Sequence, residues 1–200
     1  MTLLGAVFDG DSVLVTADSY VWRSDAYSFA SYQGTGVKFR QLRDTLILFG
    51  AYGDQDIGER IAAQLDVSTA WGSWSELLKV TGDMLRRANT AEGVTRDRIT
   101  AAMVAGYLGA ALGVHRIGPY GSTEADEDPA FLGNGRLVAH AGWAMTTDAA
   151  PELSPEDRLR LVMRRTTAAV QPLGPPIRYW RVAPSGIEEL APDSEGLEKL

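Results

Sequence analysis

An α+β fold, with two antiparallel sheets and helices packed outside them, is predicted by three observations. Short β-prone runs come in neighbouring pairs joined by tight turns, two helical periods stand side by side in the first half of the chain, and one capped helix precedes a terminal hairpin. This order has no β-α-β alternation, so a doubly wound parallel sheet is disfavoured.

The elements follow in chain order. Leu3 to Phe8 and Ser12 to Ala17 flank Asp9-Gly10-Asp11, and an Asp-Gly pair between apolar runs is a strong hairpin signal. Ser19 to Gly36 is polar and aromatic-rich. Val37 to Leu42 and Thr45 to Phe49 then read as two strands turning at Arg43-Asp44, making four strands before any helix. From Asp54 the period changes: Ile57, Ile61 and Leu65 recur every four residues, predicting an amphipathic helix with acidic residues in its first turn. Ser73-Trp74-Ser75-Glu76 matches a capping box and opens a second helix to about Asn89. Strand-like runs return at Thr100 to Leu108, Gly113 to Ile117 and Arg136 to His140. Ser154-Pro155 starts a third helix to about Val170, with Ser as cap and Pro at the first position. Arg178 to Ala183 and Ile187 to Leu190 close the chain as a hairpin around Pro184-Ser185-Gly186.

Length and composition bound the function. The 200 residues are 45% hydrophobic with a formal net charge of −7, which predicts one globular domain over residues 1–191 and a polar tail from Pro192 to Leu200. With no cysteine there is no disulfide framework, thiolate zinc site or cysteine nucleophile. The 2 histidines, His115 and His140, fall on expected strands and read as structural, so no metal centre is expected. An acidic balance argues against a nucleic-acid partner. No apolar run reaches the roughly 20 residues of a membrane helix, and the N-terminus lacks a basic, apolar leader, so a cytoplasmic protein without membrane contact is expected.

Thr2 follows the initiator methionine. Removal of Met1 would put a hydroxyl and a free α-amine on one residue, and an amine of pKa about 8 can serve as base for the hydroxyl. Asp18, at the far end of the opening hairpin, folds back beside Thr2. Lys38, in Gly36-Val37-Lys38-Phe39, is a cation able to lower the pKa of a nearby hydroxyl, with an aspartate to keep it charged. Phe49-Gly50-Ala51-Tyr52-Gly53-Asp54 steps from strand to helix, and a glycine there lets a backbone N–H approach a ligand, as an oxyanion hole requires. Gly133-Asn134-Gly135 makes a tight turn. Of 5 tryptophans, Trp71, Trp74, Trp143 and Trp180 read as packing residues, whereas Trp22 stands in the polar stretch near the presumed site.

Together Thr2, Ala17-Asp18-Ser19, Lys38 before an apolar strand and Gly50-Ala51-Tyr52-Gly53-Asp54 resemble, in order, the marks of proteasome β-subunits and the bacterial peptidase HslV. The motif match covers about Thr2 to Leu65; beyond it the resemblance is topological. It implies a four-layer αββα sandwich of the N-terminal-nucleophile (Ntn) hydrolase type and a threonine peptidase that needs no cofactor. Thr2 Oγ would be the nucleophile, its amine the proton acceptor, Lys38 the electrostatic activator, Asp18 the residue orienting Lys38, and Gly50 N–H the oxyanion donor. Leu48 and Tyr52, joined by Val21, would line a pocket for a medium apolar side chain. Implied partners are a peptide or protein substrate, further copies of the chain in a homo-oligomeric ring, and an ATP-dependent unfoldase. The chain departs from the family in three places: the segment from Tyr20 to Thr35 is longer, Asn134 stands where a serine is usual near the amine, and Gln171-Pro172-Leu173-Gly174 replaces a supporting aspartate and serine. A catalytically silent structural subunit and an amidase acting on a small molecule are the alternative functions.

Overall fold

The opening turn sets the direction of the first sheet. β1 (Leu3–Asp9) and β2 (Ser12–Asp18) pair antiparallel, with Leu4 opposite Ala17 and Asp9 opposite Ser12. The computed structural model describes residues 2–24, 31–35, 38–67, 71–91, 99–124, 128–171, 173 and 176–191. The predicted tail from Pro192 to Leu200 lies outside the described residues.

The stretch read as a polar insertion carries a hairpin of its own, β3 (Tyr20–Ser24) and β4 (Ser31–Thr35), with Tyr20 opposite Thr35. Six strands therefore precede the first helix where four were expected. The hairpin explains why added length is tolerated ahead of Lys38: a paired hairpin returns the chain to its starting point whatever its length. β5 (Phe39–Gln41) and β6 (Leu46–Tyr52) follow, then α1 (Gln55–Val67) and α2 (Trp74–Asn89). Ser73 caps α2 by accepting the Glu76 N–H at 3.3 Å. β7 (Ala101–Leu108), β8 (Ala111–Ile117), β9 (Thr123–Glu124) and β10 (Ala130–Gly133) come next. α3 (Arg136–Ala149), α4 (Pro155–Ala169), β11 (Ile177–Ala183) and β12 (Gly186–Leu190) complete the order.

Arg136 to His140, expected as a strand, opens helix α3 instead. Two features conceal it in the sequence. Its first residues carry no side-chain cap, and its outer face is apolar too, with Leu137 and Met145 exposed opposite the buried Ala139 and Thr146. Over five residues a helix apolar on both sides looks like a strand. His140 accordingly sits on a helix, with its ring edge-on to Phe131 at 5.1 Å. His115 stays on a strand, β8, against Trp74 at 4.7 Å.

Strand order in one sheet is β10-β1-β2-β11-β12 and in the other β5-β6-β7-β8-β9. Alternate residues of each strand face opposite layers. Leu4, Ala6, Val13 and Val15 meet Phe39, Leu48, Met103 and Trp180 between the sheets, where the Phe39 and Trp180 rings pack edge to face at 5.8 Å. On one outer side Ile57, Ile61, Leu65 and Leu77 of α1 and α2 cover Ile47, Phe49 and Val104. On the other, Ala139, Leu159, Val162 and Met163 of α3 and α4 cover Leu3, Val7, Phe131 and Tyr179. The result is the αββα sandwich, and because each sheet is covered on both faces its central strands, β1, β2, β6 and β7, are buried along most of their length, while the edge strands β5, β9 and β12 carry polar residues. Among the described residues no helix is long and apolar enough to cross a membrane.

Candidate active site

Thr2 lies just ahead of β1, and the ladders on either side of that strand determine what surrounds it. Toward β2 the Leu3 N–H donates to Asp18 Oδ1 at 2.7 Å; toward β10 the Thr2 carbonyl accepts the Asn134 N–H at 2.9 Å. Thr2 is 3% and Asp18 0% exposed. From the opposing sheet Lys38, immediately before β5, donates from Nζ to Thr2 Oγ1 at 2.7 Å. Three residues picked from the sequence thus converge, although Lys38 belongs to a different sheet.

The electrostatics are asymmetric. Burial pushes the Lys38 ammonium below the usual lysine range, and the Asp18 carboxylate opposes that shift. A cation held against a hydroxyl oxygen favours the alkoxide, and the interaction is stronger out of water than in it.

Gly50 lies in β6 between Phe39 of β5 and Met103 of β7. Its lack of a side chain has a packing cause that the sequence did not reveal: a Cβ there would stand 2.5 Å from Cε1 of Phe39, whose ring packs against Trp180 in the inter-sheet core. Leu48 and Tyr52 share the Gly50 face of the strand. Leu48 is 2% exposed within the core, whereas Tyr52 is half-buried and donates its hydroxyl to Asn134 Oδ1 at 3.0 Å. Val21 is on β3; the surroundings of its side chain, and of Trp22, lie outside what is described.

Asn134 therefore joins the site twice, by its backbone to Thr2 and by its side chain to Tyr52. Gly133 ahead of it has φ of 102°, and a Cβ there would come to 2.1 Å from the Thr2 carbonyl oxygen. Gly133→Ala is expected to destabilise the fold by roughly 2–5 kcal/mol, strain and overlap acting together, as a lowered midpoint of chemical denaturation. In the segment after α4, Leu173 is buried in the α3–α4 layer; Pro172 and Gly174 lie outside the described residues.

The connections, rather than the residues, were what the sequence left unread. Tyr52 and Asn134 were each singled out, but only a fold that places β6 opposite the β10–α3 turn joins them. Among the described residues no three His, Asp or Glu side chains are grouped to hold a metal ion.

No protein-family model and no curated protein sequence matches the chain. Among solved structures it is similar to eukaryotic HslV from Trypanosoma brucei, with a TM-score of 0.67 and 18% identity over 92% of this chain and 99% of that one. The sandwich described above is therefore an HslV-like fold.

Proposed function

We propose that the chain is a threonine-type endopeptidase in which Thr2, exposed as the N-terminal residue by removal of Met1, is the nucleophile. The observation that carries this reading is the 2.7 Å contact from Lys38 Nζ to Thr2 Oγ1, made across two sheets beside the buried Asp18. A lysine ammonium buried against a hydroxyl costs stability, and activation of that hydroxyl accounts for it.

In this mechanism the Thr2 α-amine takes the hydroxyl proton, directly or through one water, as Oγ bonds to the scissile carbonyl carbon. Lys38 stabilises the developing alkoxide, Asp18 keeps Lys38 charged and oriented, and the Gly50 N–H receives the oxyanion. Asn134 positions the N-terminal residue. Collapse breaks the C–N bond, the amine proton passing to the leaving nitrogen and leaving an ester on Thr2. Water then cleaves the ester, releasing the acid and restoring the hydroxyl. The reading extends to a homo-oligomeric ring in the cytoplasm supplied by an ATP-dependent unfoldase, because an unselective peptidase among other proteins needs confinement.

Intact-mass analysis before and after a peptidyl vinyl sulfone is the test. The expected result is loss of one methionine mass and one adduct, absent in Thr2→Ala. Retained Met1, or processed protein without an adduct, would remove the catalytic assignment and leave a structural subunit. An adduct with turnover of small amides but not peptides would make it an amidase.

A further inference from the structure

β1 and β6 lie in different sheets and share no ladder, so the spacing between Thr2 and Gly50 depends on side chains crossing the gap. Lys38 to Thr2 is one such tether. Tyr52 supplies the second: its ring packs in the inter-sheet layer, its hydroxyl reaches Asn134 Oδ1 at 3.0 Å, and Asn134 N–H holds the Thr2 carbonyl at 2.9 Å. A continuous path therefore runs from the strand bearing Gly50 to the nucleophile. The same ring lies over Gly133, where a Cβ would approach Tyr52 Cδ2 to 2.9 Å. Leu48, on the same strand face, is enclosed in the core and offers no open wall.

We propose that Tyr52 is a positioning residue that fixes Thr2 relative to Gly50 through its hydroxyl contact with Asn134. This rests on the peptidase reading above. A tyrosine tied at both ends behaves as a strut between the two sheets. Displacement of a reacting group by about 1 Å is enough to lower a rate about 10²-fold.

The test uses full-length protein and fluorogenic peptides with alanine, leucine or phenylalanine before the cleaved bond, alongside the vinyl sulfone adduct. Tyr52→Phe, which removes only the hydroxyl, is expected to lower kcat about 10- to 10²-fold with KM within about twofold, and to shift the Asn134 side-chain amide resonances. Normal wild-type adduct formation with unchanged kcat in Tyr52→Phe would overturn the assignment of Tyr52 alone. Absence of a wild-type adduct would overturn the peptidase reading, and the proposal with it. Unshifted Asn134 amide resonances in Tyr52→Phe would overturn the tether in either case.

Discussion

Lys38→Met is expected to slow adduct formation and peptide cleavage by about 10²–10³-fold or more while the chain stays folded, because it removes the only cation placed on Thr2 Oγ1 among the contacts described here. Methionine keeps most of the buried stem, so the loss is one of charge rather than of packing. The pH profile separates this from general damage. Wild-type activity should rise as the Thr2 amine becomes neutral, around its reference pKa of about 7.7–8.0, and fall again as Lys38 loses its proton. Since burial holds the Lys38 pKa below the lysine reference, that alkaline fall should come before about pH 10.4, and Lys38→Met should lack it. Stability follows the same linkage. Between the lowered folded pKa and the ordinary one the unfolded chain holds more protons, so wild-type stability should gain on Lys38→Met as pH rises through that window. A variant within threefold of wild-type activity, or a flat stability difference across the window, would contradict the role.

Asp18→Ala should have the largest effect on stability, about 3–5 kcal/mol in denaturant unfolding, because it strips a fully buried site of both an acceptor and a negative charge. The Leu3 N–H loses its 2.7 Å partner at the start of β1, and Lys38 loses the carboxylate that offsets its burial. Asp18→Asn divides the two contributions. An amide oxygen can still accept from Leu3, so the loss should fall to about 1–3 kcal/mol. The charge is gone, so the Lys38 pKa should drop further and the alkaline limb of activity should move to lower pH than in wild type. If Asp18→Asn left that limb in place, Asp18 would be a cap for the first strand and nothing more.

Much of this architecture was legible from sequence. The Asp-Gly hairpin pairs β1 with β2 in the expected register and brings Asp18 back to the N-terminus, because a two-residue turn leaves the strands one alignment that buries both faces. α1 and α2 announced themselves through their periods, and α2 and α4 through serine caps, with Pro155 at the first position of α4. α3 did not, having no cap and apolar residues on both sides, and β10 is only four residues long, too brief for a period to show.

What the sequence by itself determined was the local part: the opening hairpin, the helices with a clear period or cap, and that Thr2 and Asp18 share one end of a hairpin. Only the tertiary structure decided how the two sheets face each other. That packing brings Lys38 onto Thr2 Oγ1, ties Tyr52 to Asn134 and presses the Phe39 ring against Gly50. The physical reason is one of range. Turn chemistry and side-chain period act over a few residues, whereas the distance between sheets is set by Leu4, Val15, Leu48, Met103 and Trp180 filling one core, and no neighbouring residue in the chain encodes that sum.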